Sequence, residues 1–595
     1  MYQLLVKLGL VFTLLWNICF GACLPVRTET AAENGSLAAV DALGRSVVSA
    51  GESEKQVGVF YFLWNGEETV SGPYDVTKII ENDPEAFRSV ERWTAAGGAA
   101  DWGVFHHWSE PLFGYYVQSD KWVLARHCQM LTDAGVDFIV FDTTNAKPYI
   151  ERAIDLIDVW YGYLEDGWNV PKLAFYTNAD SGNLMGYIYD QLYNNAELKE
   201  RYPRLDELWF RLDGKPMIVG WQDDPNIRDD VRDYFRIKAT QWPNADKGND
   251  GFPWMEFGRL GTLNSYYKNS PRDKSVMSVS AAQHCDTIRF SASAWYGAKD
   301  HGRSWHNGKK DTSPDAVKYG CNFAEQWEYA IRLDPDIVFV TGFNEWIAMR
   351  LNVENEPVVF IDNFDTEYSR DVEPSAGILG DNYYMQLVDY IARFKRSRAV
   401  LPADDHVTID IDGGFAQWDG VKTVYRDFKN DTFDRNCRGY GKLYYTDDSG
   451  RNDIVRARVA EDGEYLYFYV ETAEALSPAS DDAWMTLFLN VGGEKEGYDF
   501  CVNRRSPEAG KTAVEAVTDA GHEARGEADI RFEGNSLMLK VPKTALGIAA
   551  DEKAAFTFKW ADNYEDGDLM SFYTKGDSAP YGRLNWVYGE LKNRN

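Results

Sequence analysis

The stretch VDFIVFDTTNAKPYIERAIDLIDVWYGYLED, residues 136–166, contains the two kinds of segment from which much of this chain is built. Its first seven residues form a short apolar run, which is typical of a buried β-strand. Apolar side chains then recur at helical spacing, at Ile150, Ala153, Ile154, Ile157, Tyr161 and Leu164. A buried strand followed by an amphipathic helix favours a parallel sheet covered by helices.

The same alternation continues along residues 56–400. Further helix faces recur near 124–134, 323–331 and 384–394. Eight strands are predicted, at 57–64, 136–142, 172–177, 215–221, 254–257, 275–281, 289–295 and 336–342. This pattern predicts an α/β fold, with the parallel strands closed into a (β/α)8 TIM barrel. An open, doubly wound sheet is the alternative, although no Gly-rich phosphate loop follows the first strand.

The pattern changes after Arg398, and residues 399–405 are predicted to form a short linker. From 405 to 595, β runs alternate with turn signals and no helix intervenes; examples are 465–470, 484–490, 537–541 and 556–560. Strands separated only by turns predict an antiparallel β-sandwich.

The first 23 residues have the pattern of an export signal, with Lys7 as the only charge before an apolar run from Leu8 to Phe20. Gly21-Ala22-Cys23 resembles a bacterial lipoprotein cleavage site, which would leave a lipid anchor on Cys23. An ordinary cleaved signal peptide (1–22) and a retained membrane helix are the alternatives. Residues 23–55 are expected to form a flexible tether. The protein is therefore expected in the periplasm, at the cell surface or outside the cell.

Composition excludes several classes of protein. Of 595 residues, 44% are hydrophobic and 26% are charged, which is ordinary for a folded protein. The net charge of −31 argues against nucleic acid as a partner, because phosphate binding needs a basic surface. The 20 Trp and 35 Tyr suit neutral sugars, whose rings stack on aromatic faces. Five scattered Cys beyond the signal region predict buried thiols or at most one disulfide, and no zinc spacing such as C-x-x-C is present.

In a (β/α)8 barrel the reacting groups lie at the carboxyl ends of the strands. Acids, amides and aromatic residues end almost every predicted strand, which favours glycosidic cleavage by a pair of carboxylates. The catalytic candidates are Glu345, which ends the last strand, with Asp142 and Glu256 as alternatives for its partner. Each also has a structural interpretation, such as capping the next helix or closing a turn. Substrate-binding candidates at other strand ends are Asn145, Trp221, His284, Trp295, Asn344 and Trp346.

The segment 102–116 combines two His, an acid and several aromatic residues. We expect it to form a sugar-binding wall through His106, His107, Trp108, Glu110 and Tyr115. The alternative is that these aromatic residues only pack the loop onto the barrel. No metal is expected, because adjacent His side chains usually point apart and no third ligand is suitably spaced.

Thr341-Gly-Phe-Asn-Glu-Trp-Ile347, preceded by Asn322-Phe-Ala-Glu-Gln-Trp327, resembles the glycoside hydrolase family 71/99-like (β/α)8 proteins, whose last strands carry Asn-Glu-Trp. The resemblance spans about residues 56–396 and implies that Glu345 is a catalytic carboxylate. Family 99 enzymes act on α-mannosides and carry a second Glu three residues later, where this chain has Ala348. The family's carboxylate pair, specificity and mechanism therefore do not carry over.

The carboxyl-terminal part, from Thr408 through Trp418, Trp484 and Trp560, resembles carbohydrate-binding module family 9-like sandwiches. The resemblance implies that these Trp rings grip a sugar, whereas their apolar strands place them in the core. Residues 562–568 are acid-rich but fail the EF-hand pattern, which leaves calcium bound in another geometry as an alternative.

The function predicted from the sequence is a glycoside hydrolase that cleaves an oligo- or polysaccharide without a redox cofactor. Two alternatives stay open. One is a non-catalytic glycan-binding protein on the same barrel, and the other is a polysaccharide lyase, whose Tyr/His/Arg chemistry is not evident.

Overall fold

The structure is a computed structural model that describes residues 35–67, 71–242, 250–254, 264–265, 275–283, 301–353, 356–360, 364–397, 406–492 and 495–590. Within these ranges no helix has both the length and the apolar character needed to cross a membrane.

Eight parallel strands form a nearly closed barrel, as predicted. In chain order they are Gln56–Tyr61, Phe138–Thr143, Lys172–Thr177, Lys215–Gly220, Arg236–Gln241, Gly251–Pro253, Ser275–Val279 and Ile337–Val340. Seven parallel pairings join neighbouring strands around the ring. The sixth and seventh strands contact each other without being paired and form the open seam. The fifth strand was not predicted, and the sixth ends at Pro253, just before the strand predicted at 254–257. The strand predicted at 289–295 lies outside the described residues.

Alternation along each strand divides the apolar side chains between two layers. Phe60, Phe138, Val140, Tyr176 and Phe339 are among those that fill the barrel interior. The intervening residues pack outward against the helices.

The helices of this part are Val76–Asn82, Val90–Ala95, Lys121–Asp133, Ile150–Glu165, Ser181–Ile188, Ala196–Arg201, Asp229–Tyr234, Cys321–Leu333 and Asn382–Lys395. The amphipathic faces predicted near 124–134, 150–164, 323–331 and 384–394 all fall on helices. Lys121–Asp133 begins where the Asp120 carboxylate accepts a hydrogen bond from the Trp122 amide, a typical N-cap. A three-stranded antiparallel sheet, Phe105–His107, Ile347–Val353 and Glu356–Phe360, is built from segments next to the barrel.

The carboxyl-terminal domain is a curled antiparallel sheet, as predicted. In order across the sheet its strands are Tyr425–Arg426, Ile454–Glu461, Tyr465–Thr472, Ser536–Pro542, Gly521–Glu533, Lys511–Thr518, Phe500–Val502, Thr486–Asn490, Phe556–Asp562 and Asp577–Ala579, with Trp586–Tyr588 also paired to Phe556–Asp562. A separate hairpin joins Arg435–Arg438 and Tyr444–Asp447. Trp418, Trp484 and Trp560 are at most 2% exposed, which confirms that they belong to the core.

Residues 35–55, expected to be part of a flexible tether, are instead packed. Ala38–Val40 and Ser46–Val48 form a hairpin, and Ala38 exchanges backbone hydrogen bonds of 2.8 and 2.9 Å with Asn585 of the second domain. The Gly51 amide donates to the Ser397 carbonyl (2.9 Å) at the end of the barrel part. Apolar residues such as Leu37 and Val47 are buried here, which the composition of the segment did not indicate.

Candidate active site

Four Trp side chains, an acid and an amide lie at the carboxyl ends of the barrel strands. Side chains alternate between the inside and the outside of the barrel along each strand, and these six residues fall on the inward-facing positions. They therefore point toward the mouth of the barrel: Trp64, Asp142, Asn178, Trp221, Trp242 and Trp254. Below, we call these six residues the mouth layer.

Asn178 organises two of the rings in the mouth layer. Its side-chain oxygen accepts hydrogen bonds from Trp221 Nε1 (3.1 Å) and Trp242 Nε1 (2.7 Å). The Trp242 and Trp254 rings meet edge to face with centroids 4.6 Å apart. Trp221 remains 49% exposed, so it offers a ring to solvent. The mouth is therefore aromatic, with polar atoms that orient the rings.

Asp142 lies half-buried in the same layer. One carboxylate oxygen accepts a hydrogen bond from the Thr144 amide (2.8 Å), which closes a turn beyond the second strand. Asn145 follows on this loop, where it is exposed and donates to the Tyr149 hydroxyl (3.3 Å). Asp142 thus combines a turn-closing contact with access to the opening.

Glu345 lies on the segment after the eighth strand and is 3% exposed. Its carboxylate is 2.9 Å from the Arg370 guanidinium, which is equally buried. The Glu345 amide donates to the Asp371 carboxylate (2.7 Å), and burial raises the pKa of Asp371 above its usual range. Arg370 compensates a negative charge on Glu345 at a site that water barely reaches.

Asn344 connects this segment to the first barrel strand. Its side chain accepts from the Phe62 amide (2.8 Å) and donates to the Phe62 carbonyl (3.0 Å), as a neighbouring strand would. Phe62 follows the pair Tyr61–Phe141 and is therefore level with Asp142 on the second strand. The Asn344 side-chain amide and the Asp142 backbone thus flank Phe62 on either side. Asp142 and Glu345 consequently belong to the same end of the barrel.

A buried polar network supports the segment that carries Glu345. The Glu373 carboxylate accepts from Trp346 Nε1 (2.5 Å) and from the Tyr116 hydroxyl (2.9 Å), and it lies 3.0 Å from His127 Nε2. Tyr61 meets the other ring nitrogen of His127 at 2.8 Å. Trp346, expected to bind substrate, is 1% exposed and serves this network instead. Asn344 is likewise buried, so the side chains of Asn344 and Trp346 are not accessible to a ligand.

The segment 102–116 does not form the expected sugar-binding wall. His106 packs against Trp93 and Phe360, and His107 lies edge-on between Tyr115 and Tyr440. The reason is the strand Phe105–His107, whose pairing with Ile347–Val353 draws the segment into the core.

The other residues expected in this wall, Trp108, Tyr115 and Glu110, also make their contacts within the protein. Trp108 is fully buried and stacks on Trp346 with ring centroids 4.4 Å apart. The Tyr115 hydroxyl donates to Asp75 (2.7 Å), and Glu110 pairs with Lys78 (2.6 Å). The packing alternative explains this segment. Burial also lowers the pKa of His106 and of His107 to about 3, so both rings are neutral at ordinary pH.

Three predicted site residues, Glu256, His284 and Trp295, lie outside the described residues. Sequence reasoning missed Trp242 because Lys238 interrupts the apolar character of the fifth strand. A Trp directly after Arg236–Gln241, like Trp221 after Lys215–Gly220 and Trp254 after Gly251–Pro253, was the available signal. It also missed Arg370, Asp371 and Glu373, whose role depends on folding back against Glu345.

No protein-family model and no protein of curated function matches this chain. Among solved structures, the chain is similar to the GH99 endo-alpha-mannosidase from Bacteroides thetaiotaomicron, with 13% identity over 58% of this chain and 99% of that chain and a TM-score of 0.35. The same enzyme in complex with Bis-Tris propane gives 12% identity, the same coverage and a TM-score of 0.32. Likeness at this level supports no conclusion about activity, nor about family 71 or the binding-module resemblance. The barrel is established by its own strand pairing.

Proposed function

We propose that this protein is a glycoside hydrolase that acts on an oligo- or polysaccharide at the mouth of its barrel. The mouth layer is the observation that carries the proposal. Exposed and half-buried Trp rings supply stacking faces for sugar rings, while Asp142 and Asn178 supply the few polar groups that a ligand site needs for orientation.

Glycosidic cleavage needs a carboxyl group that protonates the departing oxygen and a carboxylate that attacks or activates water. In the proposed mechanism Asp142, which faces the opening, donates the proton. Glu345, whose charge Arg370 compensates at 2.9 Å, acts as nucleophile or base. Carboxyl groups about 5–5.5 Å apart in the substrate complex would give retention, and about 6.5–9.5 Å would give inversion.

The proposal is tested by measuring reducing-sugar release from a panel of glycans with the full chain. Glu345→Gln and Asp142→Asn should each lower the rate about 10²–10⁴-fold, the usual contribution of a positioned acid or base. Glu328→Gln is the matched control, because Glu328 also pairs with an arginine, Arg393, but lies on the surface. Release that persists in both site variants would exclude these residues from catalysis.

A second candidate function is a non-catalytic glycan-binding protein. The burial of Glu345 against Arg370 favours it, as does Ala348, which is 1% exposed in a core strand where family 99 enzymes carry their second Glu. Calorimetric titration with the same glycans separates the two functions. Binding that Trp221→Ala weakens and Tyr444→Ala leaves unchanged, without release of sugar from any glycan, would establish the binding protein. Tyr444 is a similarly exposed aromatic residue on the second domain.

A further inference from the structure

Three buried carboxylates meet where the second domain contacts the barrel, remote in sequence from the mouth layer. Oxygen atoms of Asp427, Asp431 and Asp577 all lie within 4.8 Å of one another. The barrel helix Lys121–Asp133 closes the cluster, since Gln129 Nε2 donates to the Asp431 carboxylate (2.9 Å) and Arg126 donates to the Asp431 carbonyl (2.6 Å).

Two of these carboxylates have oxygens without a donor. Asp427 is 5% exposed, and its buried Oδ2 has no hydrogen-bond partner among the described residues; the same holds for Oδ1 of Asp431, which is 3% exposed. Buried acceptors without donors are costly and rare, so the arrangement points to a missing positive group.

The cationic side chains nearby do not balance the acids. Among the described residues, the cationic side chains that act on Asp133, Asp427, Asp431, Asp453 and Asp577 are Arg126, Lys429 and Lys559, three against five acids. Arg126 donates to a backbone carbonyl, and the Lys559 ammonium is directed at the Pro580 carbonyl. The cluster therefore lacks positive charge at its centre.

We propose that Asp427, Asp431 and Asp577 bind one calcium ion that joins the second domain to the barrel. The donor set contains only hard oxygen atoms, with no His or Cys, as calcium prefers. A calcium–oxygen distance of about 2.3–2.6 Å allows opposed ligands to lie about 4.6–5.2 Å apart, which accommodates the observed spacing. The unpartnered oxygens of Asp427 and Asp431 then become ligands.

This site differs from the acid-rich stretch 562–568. There Asp562 pairs with Arg451 (2.7 Å) and Asp566 pairs with His522 (2.9 Å), so both carboxylates already have cationic or donor partners. Asp566→Asn is consequently a suitable control for nonspecific binding of calcium to surface acids.

The test uses the full chain, stripped with a chelator and titrated with calcium alone in a calorimeter, together with thermal unfolding in calcium and in chelator. We expect about one tight calcium per chain and a higher unfolding midpoint in calcium. Asp427→Asn should weaken binding at least about tenfold, because affinity follows the ligand charge count. In chelator the same variant should be at least as stable as the wild type, since it removes a repelling charge. Asp566→Asn should bind as the wild type does.

Absence of tight calcium binding to the stripped wild-type chain would overturn the proposal, whatever the variants do. So would equal affinity for magnesium, or loss of binding in Asp566→Asn rather than in Asp427→Asn. Should Asp427→Asn fail to fold, Asp577→Asn replaces it with the same expectation.

Discussion

Replacing Asn344 with Ala removes the side chain that joins the Glu345 segment to the first barrel strand. Its two hydrogen bonds, 2.8 and 3.0 Å, satisfy the Phe62 amide and carbonyl, and Asn344 itself is fully buried. A buried backbone group left without a partner costs about 1–3 kcal/mol, so the two groups together cost about 2–6 kcal/mol. The end of the first strand should therefore open far more often.

Hydrogen exchange followed by mass spectrometry measures this opening locally, at the end of the first strand itself. Peptides containing the Phe62 amide should exchange at least about 30-fold faster in Asn344→Ala, the equivalent of about 2 kcal/mol. Asn145→Ala, which changes an exposed asparagine at the same end of the barrel, should leave the rate unchanged. Unaltered exchange at Phe62 in Asn344→Ala would refute the reasoning.

Three further outcomes are expected. Gly342→Ala should lower the thermal midpoint by the equivalent of about 1–3 kcal/mol, because φ at Gly342 is +127° and a Cβ there would lie 3.0 Å from the Asp371 carboxylate. Gly308→Ala, where φ is also positive but the space is open, should lower the midpoint less, and equal losses would contradict the contact argument. His107→Phe should make the stability of the protein less sensitive to acid. Burial lowers the pKa of His107 to about 3 in the folded protein, against about 6.5 in the unfolded chain, so the unfolded chain gains a proton there and the folded state loses stability as the pH falls through that range. A difference in thermal midpoint between wild type and variant that is constant with pH would contradict this. Arg583→Met should destabilise the protein by about 3–5 kcal/mol, because the buried Asp381 carboxylate keeps the Tyr573 hydroxyl but loses its cationic partner at 3.0 Å. Chemical denaturation would show this, against about 0–1 kcal/mol for Arg393→Met on the surface.

The family resemblance and the structure bear differently on Glu345. Asn-Glu-Trp marked the segment, but the neighbours that define its chemistry, Arg370 and Asp371, come from residues about 25 positions later. Nothing in the local sequence indicated that Asn344 and Trp346 would be buried. Their burial follows from pairing of Ile347–Val353 with Phe105–His107, a contact over more than 200 residues.

The two-part architecture follows from the sequence alone, because apolar periodicity distinguishes buried strands and amphipathic helices within a dozen residues. It also determined that Asp142 and Trp221 lie at strand ends, since a parallel barrel brings all such ends together. Three features became visible only in the folded chain: which aromatic residues stay accessible, how residues 35–55 bridge the domains, and that Asp427, Asp431 and Asp577 converge. Burial and charge balance depend on neighbours distant in the chain, and local patterns carry no information about them.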